Sequence, residues 1–204
     1  MTETSFVEQL SELERIAAVC TDCRLCESRT QVVFGDGSPT ADIMFIGEGP
    51  GYHEDQQGIP FVGAAGQLLN RLLDEVGLAR EQCYIANVVK CRPPGNRDPR
   101  QDEIDACKHY LADQIRLIDP KVVVTLGNFS SKLLLKEDSG ISRLRGRPFN
   151  WWNRIVVPTY HPAAALRGGA GTLDAIREDL ALVISIAERP AEVEAEPEQL
   201  GLFG

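Results

Sequence analysis

The sequence has no long apolar run: no stretch approaches the roughly 20 consecutive apolar residues that a membrane-spanning helix requires. Its first residues, Met1-Thr2-Glu3-Thr4, are not followed by the basic and then apolar segments of a secretory signal peptide. We therefore expect a soluble, cytoplasmic protein with no membrane partner. With 204 residues, of which 43% are hydrophobic, the chain has the length and composition of one domain with a single core.

A positive net charge is also missing, since the formal charge is −9 at pH 7. An acidic balance argues against a nucleic-acid partner, but residues 188–198 alone carry five glutamates against one arginine. Seven arginines fall instead in Gly/Pro-rich segments that we interpret as loops: Arg92, Arg97, Arg100, Arg143, Arg145, Arg147 and Arg167. A local basic face of this kind can hold DNA on an acidic protein, with an affinity that falls steeply with salt.

Short apolar runs alternate along the chain with segments of helical periodicity. Four runs predict strands, at residues 43–46, 84–89, 122–126 and 155–157. Five segments predict helices, at residues 6–17, 67–76, 101–118, 128–135 and 172–187. This alternation predicts an α/β fold with a single domain at residues 1–187, in which a three-layer α/β/α arrangement surrounds a central, mostly parallel four-stranded sheet. Residues 188–204, rich in Glu, Pro and Ala, predict a disordered tail.

Ligands of parallel sheets bind beyond the carboxyl ends of the strands. The loops that begin at Gly47, Lys90, Gly127 and Thr159 are therefore expected to surround one cleft.

The six cysteines are expected to include metal or cluster ligands, because disulfides are rare in the cytoplasm. Cys20-x2-Cys23 together with the distant Cys91 and Cys107 can supply four thiolates to a [4Fe–4S] cluster or to zinc, and the spacing does not decide the metal. Cys23-x2-Cys26 is a nearly equal alternative for the close pair.

Three segments combine glycines with acidic, amide, aromatic and imidazole side chains. The first is G-E-G-P-G-Y-H-E-D at 47–55, continued by G-I-P-F-V-G at 58–63. The second is N-V-V-K-C-R-P-P-G-N-R at 87–97, and the third is H-P-A-A-A-L-R at 161–167. Glycines let the backbone approach a ligand closely, and the neighbouring polar groups are of the types that bind ligands and transfer protons.

Together these segments resemble the family 4 uracil-DNA glycosylases, the thermostable iron–sulfur branch of the uracil-DNA glycosylase superfamily. The resemblance extends from about Cys20 to the last predicted helix. It implies a DNA repair enzyme that hydrolyses the N-glycosidic bond of deoxyuridine in single- or double-stranded DNA, releasing uracil. It also implies that Cys20, Cys23, Cys91 and Cys107 hold a [4Fe–4S] cluster and that Cys26 is a spare.

Within the pocket, the resemblance implies that Phe61 stacks on the uracil ring and that Asn87 reads its edge. One amide offers a donor to O4 and an acceptor to N3–H, which suits uracil and clashes with the exocyclic amine of cytosine. Glu54 corresponds to the position that crowds the C5 edge and excludes thymine. Gly49 and Asp55 complete the predicted substrate-binding set.

Catalysis is implied for His161 and Glu48. His161 would donate a hydrogen bond to the developing uracil anion. Other branches of the superfamily carry an acidic or amide residue where Gly49 stands and use it to activate water, which glycine cannot do. We therefore expect water to attack a nearly free oxocarbenium ion, with Glu48 contributing charge and orientation.

Excision also requires the nucleotide to leave the base stack. The resemblance implies that Leu166 fills the vacated position while Arg167 meets a phosphate. Core packing is the alternative for Leu166. The turn that contains Arg92, Pro93 and Asn96 is interpreted as a clamp on the DNA backbone, with an ordinary turn as its alternative.

The sequence leaves two alternatives to an enzyme that excises uracil and turns over. A sister branch binds uracil-DNA covalently and is marked by a basic, His-containing insertion after the fourth strand, whereas residues 136–143 contain no histidine. The second is a non-catalytic, cluster-containing DNA-binding module, against which the joint presence of Asn87 and His161 argues.

The C-terminal residues Gln199, Leu200, Leu202 and Phe203 resemble the Q-L-x-L-F peptide that docks in the bacterial sliding clamp. The alternative is that this segment folds back on its own domain. We expect the protein to be a monomer.

Overall fold

In the computed structural model, which describes residues 3–189, six strands form one sheet. Their bounds are β1 Asp36–Gly37, β2 Ile43–Gly47, β3 Tyr84–Asn87, β4 Val122–Leu126, β5 Phe149–Trp151 and β6 Arg154–Thr159. The central strands are parallel, in the order β3-β2-β4-β6, and β1 and β5 add antiparallel edges next to β3 and β6.

The predicted α/β class and mostly parallel sheet are confirmed, but the sheet has six strands rather than four. The prediction missed β1 and β5, which contain two and three residues and include Asp36, Gly37 and Asn150. Edge strands of two or three residues are too short to show the continuous apolar run that reveals a strand buried on both faces.

Eight α-helices are described in this part of the chain. Their bounds are α1 Glu3–Ala18, α2 Tyr52–Gln57, α3 Ala64–Glu75, α4 Gln101–Ile118, α5 Asn128–Leu135, α6 Ile141–Leu144, α7 Pro162–Gly168 and α8 Ala170–Ala187. All five predicted helices are present. Helix α3 begins at Ala64 rather than at residue 67, and α8 begins at Ala170 rather than at residue 172.

Helix α7 corrects the interpretation of residues 161–167 as a loop. Its cap is His161, its first residue is Pro162, whose fixed φ suits that position, and a run of alanines continues it. Arg167 therefore lies in a helix, as does Arg143 in α6.

The strand side chains alternate between two hydrophobic clusters, one on each face of the sheet. Met44 and Ile46 belong to the cluster that also contains residues of α1 and α4. Ile43 and Phe45 belong to the cluster that also contains residues of α3 and α8. Because successive side chains of a strand point to opposite faces, this division confirms the three-layer arrangement.

The carboxyl ends of the parallel strands meet at one edge of the sheet. Gly47 is in register with Asn87, and Leu126 is in register with Thr159. The segments that follow these residues carry Glu48 and His161, so the edge collects side chains that are far apart in sequence. Within residues 3–189, no helix is both long and apolar enough to cross a membrane.

Candidate active site and cysteine pocket

Asn87, the last residue of β3, is only 2% exposed. Its side-chain oxygen Oδ1 is buried and has no hydrogen-bond partner among the described residues. A Cβ on Gly47 would come within 2.4 Å of this oxygen and within 2.7 Å of the Phe61 ring. The missing side chain at Gly47 thus lets an amide and an aromatic ring share one small space. A buried acceptor without a partner is rare in native proteins and is suited to a donor on a ligand.

Phe61 is buried and adopts a left-handed backbone with a φ of 55°, which is strained for a residue other than glycine. Its segment is held from two sides. Arg80 donates hydrogen bonds to the carbonyl oxygens of Pro60 and Phe61, at 2.6 and 3.3 Å. On the other side, Glu54 Oε1 accepts from the amides of Val62 and Gly63, at 2.9 and 2.8 Å.

The two predicted substrate-binding acids of the first segment, Glu54 and Asp55, accept hydrogen bonds from the protein backbone. The Glu54 carboxylate accepts from the two amides beside Phe61. Its Oε2 also lies close to Gly51, where an added Cβ would be only 2.7 Å away. The buried Asp55 accepts a hydrogen bond from the amide of Thr30 at 2.9 Å. These contacts let both acids order the segments around the pocket, and their direct contact with substrate stays a prediction.

His161 caps helix α7, and its Nδ1 accepts a hydrogen bond from the Ala163 amide at 3.1 Å. Since Nδ1 is an acceptor, the proton of the neutral ring is on Nε2. Burial, reinforced by the charge of Arg167, lowers the pKa of His161 to about 4. The ring is therefore a neutral Nε2–H donor at physiological pH. Its centroid lies 5.5 Å from that of Phe61.

Glu48 follows β2 and is half-buried. Burial, with a further contribution from the negative charge of Asp98, raises the pKa of Glu48 to about 7. The next residue, Gly49, has a packing reason to lack a side chain, because a Cβ there would lie 2.8 Å from Cγ2 of Val89. Val89 thus occupies the space that a larger residue at position 49 would need.

Of the predicted DNA-binding residues, Asn96, Leu166 and Arg167 are exposed, whereas Arg92 is half-buried and Pro93 is buried. Arg92 Nε donates to Asn96 Oδ1 at 2.7 Å across a turn of 3-10 helix at Pro94–Asn96. Leu166 is 50% exposed, which excludes the core-packing alternative, and Arg167 beside it is also exposed.

Two arginines of the predicted basic face are instead engaged in ion pairs with buried carboxylates. Arg97 binds Glu103 through two hydrogen bonds of 2.6 and 2.8 Å, and Arg145 binds Asp179 at 2.7 and 3.0 Å. Both carboxylates are at most 1% exposed. These arginines therefore stabilise the fold, and their charge is largely compensated.

Five cysteines line one pocket between α1, α4 and the segment after β3: Cys20, Cys23, Cys26, Cys91 and Cys107. We call it the cysteine pocket. Arg29 donates to the Cys91 sulfur and the Lys90 amide to the Cys107 sulfur, both at 3.3 Å. The pocket contains Cys26 as well as the four predicted ligands, so both close pairs stay available.

The cysteine pocket offers five thiol side chains within one enclosed space. Four thiolates are the donor set of a [4Fe–4S] cluster and also of a structural zinc ion, so the residues present fit either group.

Sequence reasoning missed the buried network of Lys90. This residue is 1% exposed, and its Nζ donates to the carbonyl oxygen of Asn87 at 2.9 Å and to Gln114 Oε1. Gln114 in turn donates to the carbonyl oxygen of Phe34 and to the Tyr84 hydroxyl. Burial lowers the pKa of Lys90 to about 7. The sequence signal that could have revealed this network is the presence of a lysine within the apolar run V-V-K-C.

The chain belongs to the uracil DNA glycosylase superfamily, whose family model matches residues 34–181. Within it, the chain is 48% identical over 169 residues to the Type-4 uracil-DNA glycosylase of Sulfurisphaera tokodaii, covering 78% of this chain and 77% of that protein. It is 46% identical over 170 residues to the Type-4 enzyme of Thermotoga maritima, covering 81% and 88% of the two chains. A Type-5 uracil-DNA glycosylase of Pyrobaculum aerophilum is 29% identical over 144 residues, covering 62% and 63%. The resemblance to family 4 is confirmed.

Proposed function

We propose that this chain is a DNA repair enzyme that hydrolyses the N-glycosidic bond of deoxyuridine in DNA, releasing uracil and leaving an abasic site. The observation that carries the proposal is the buried Asn87 oxygen, which lacks a partner and lies beside the ring of Phe61. A flipped-out uracil would supply the missing donor through N3–H and would present its flat face to the ring.

The side-chain amide of Asn87 also explains how the proposed site distinguishes uracil from cytosine. In our proposal Asn87 Oδ1 accepts from uracil N3–H, while its amide nitrogen donates to O4. Cytosine would place an unprotonated nitrogen and an amine against these atoms and leave buried polar groups unpaired. A site that depends on such hydrogen bonds rejects a mismatched ligand strongly.

Bond cleavage transfers the electron pair of the glycosidic bond to the uracil ring and leaves positive charge on the sugar. We assign to the neutral Nε2–H of His161 the stabilisation of the uracil anion. Water then adds to C1′ and loses its proton. In our proposal the Glu48 carboxylate orients that water and stabilises the cationic sugar, and its raised pKa of about 7 suits it to take the proton.

We further propose that Cys20, Cys23, Cys91 and Cys107 hold a [4Fe–4S] cluster. When bound, the cluster supplies cross-linking rather than electrons, since hydrolysis transfers none. It would tie the N-terminal segment to the segment that follows Asn87 and so order the surface that meets DNA. An active, well-folded protein without iron would refute this role.

The predicted clamp-binding residues Gln199, Leu200, Leu202 and Phe203 lie outside the described residues. We retain the proposal that they recruit the protein, acting as a cytoplasmic monomer at the nucleoid, to the bacterial sliding clamp. Deletion of residues 199–204 should abolish capture of the purified clamp in a pull-down. Unchanged capture would refute the proposal.

The decisive test of the proposed activity is cleavage of a labelled oligonucleotide that contains one uracil, followed by alkali to break abasic sites. Matched thymine and cytosine oligonucleotides are the controls. Breaks confined to the uracil substrate, and strongly reduced by Asn87→Asp or His161→Ala, would establish the glycosylase and its pocket together. Absence of breaks, with a protein–DNA adduct on a denaturing gel, would instead identify a covalent binder.

A further inference from the structure

Tyr52 is an aromatic residue that neither the fold nor the proposed reaction uses. It is the first residue of α2, four residues after Glu48, and 54% of it is exposed. It belongs to neither of the two hydrophobic clusters of the described residues. Exposure of a single ring is common on protein surfaces, so the role of Tyr52 has to be inferred from its neighbours.

The ring of Tyr52 is joined to the turn that we interpret as a DNA backbone clamp. The Arg92 guanidinium lies over it, with its central carbon 5.1 Å from the ring centroid. Arg92 is fixed in turn by its 2.7 Å hydrogen bond to Asn96. A cation held over a ring in this way orients both groups.

Tyr52 is also connected to the segment that carries Phe61. Its ring makes an edge contact with His53, at 5.5 Å between centroids. The His53 ring lies 3.5 Å from where a Cβ on Gly63 would stand, and Gly63 is two residues after Phe61. Tyr52 is thus connected through His53 to the segment that carries Phe61, and it lies next to a positive charge.

We infer that Tyr52 and Arg92 form a binding site for the nucleotide that flanks the uracil in single-stranded DNA. The tyrosine ring stacks on the flanking base, and the guanidinium pairs with the adjacent phosphate. Aromatic rings next to cations are the usual means by which proteins hold unpaired bases. In duplex DNA the flanking base stays stacked on its neighbours, so the site acts mainly on single strands.

Leu166, in contrast to Tyr52, is expected to act mainly on double-stranded DNA. It is 50% exposed on α7, and we assign it to the gap that an extruded uracil leaves in a duplex. A single strand has no such gap to be filled. Removal of the Tyr52 ring should therefore weaken binding of single strands more than of duplexes, and removal of the Leu166 side chain should do the reverse.

The test measures binding of uracil-free oligonucleotides that carry 2-aminopurine, whose fluorescence is quenched by stacking, in single- and double-stranded form. Tyr52→Ala should weaken single-strand binding about 10-fold and abolish the additional quenching, with a much smaller effect on the duplex. Tyr52→Phe keeps the ring and should behave as the unchanged protein. Ile16→Ala, at a similarly exposed apolar residue on α1 with no assigned role, should leave single-strand binding and quenching intact.

Equal single-strand affinity and quenching in Tyr52→Ala and the unchanged protein would overturn the inference, as would equal losses in Tyr52→Ala and Tyr52→Phe. The inference rests on the proposed function, but the two fail separately. Uracil excision by a protein whose Tyr52→Ala variant binds normally removes only the flanking-base site. Absence of excision by the unchanged protein removes the proposed function, whatever the binding shows.

Discussion

At the carboxyl edge of the sheet, Phe61 and His161 are fixed by hydrogen bonds within the protein, whereas the cysteine pocket gathers sulfurs from three separate segments. Arg80 and Glu54 hold the Phe61 segment, and the Ala163 amide fixes the His161 ring. The sulfurs of the cysteine pocket come from the segments around Cys20, Cys91 and Cys107. The first region is ordered by contacts within the protein, while the proposed cluster would complete the second.

The difference matters because the two regions are adjacent. Lys90 donates through its side chain to Asn87 and through its backbone amide to the sulfur of Cys107. Its neighbour Cys91 is itself a proposed ligand. Loss of the cluster should therefore disturb the fold first and the chemistry second, whereas changes in the active site should leave the fold intact.

The largest effect is expected from Cys107→Ser. This change removes a thiolate from the pocket, so the protein should lose iron and its melting temperature should fall by on the order of 10 °C, because cluster binding energy contributes directly to folding. Iron analysis, visible absorbance and thermal melting measure this. Cys83→Ser is the matched control, since Cys83 is also fully buried but lies outside the cysteine pocket. Equal iron in both variants would contradict the assignment.

Asn87→Asp should reduce single-turnover excision by about 10³-fold or more, because the substituted carboxylate has no donor for uracil O4. The buried site also disfavours a charge, so the melting temperature should fall as well, by less than in Cys107→Ser. Asn128→Asp provides a control, because Asn128 acts only as an acceptor towards the Ile141 amide in its described contact. A variant that melts normally but excises at full rate would remove Asn87 from base recognition.

His161→Ala should slow excision by about 10²–10³-fold, the usual cost of losing one donor to a developing anion. The exposed His109 on α4 supplies the comparison, and His109→Ala should have no effect on the rate. If the two alanine variants react equally fast, the anion is stabilised by another group.

The pH dependence of the chemical step should depend on Glu48 and not on His161. A pKa of about 4 keeps His161 neutral throughout the neutral range, so it adds no inflection there. Glu48, with a pKa of about 7, is ionised above that pH and protonated below it. The single-turnover rate should fall about 10-fold as the pH drops through 7, and Glu48→Gln should flatten the profile at the lower rate. An inflection that survives in Glu48→Gln would assign the titration elsewhere.

The sequence predicted what depends on local pattern. The four central strands and the five longer helices were recognisable because apolar runs and helical periodicity persist over many residues, and the motifs marked Asn87, Phe61 and His161. The edge strands β1 and β5 and the helices α2, α6 and α7 were missed because each is too short to show a period.

Other features depend on residues brought together by the fold. The Lys90–Gln114 pair joins positions 24 residues apart, and the Arg145–Asp179 pair joins positions 34 apart. Such partners have no local signature in a single sequence. For the same reason, the division of the seven arginines into structural ion pairs and exposed charges could not be predicted.

The close packing of Val89 against Gly49 constrains how this protein can change. A single substitution of Gly49 by aspartate would drive the new Cβ into Val89 Cγ2. A preceding change of Val89 to alanine would open the space at the cost of a small cavity, about 1 kcal/mol or more. In the present packing, an acidic residue at position 49 therefore requires Val89 to move or to be replaced by a smaller residue, so the two positions are coupled.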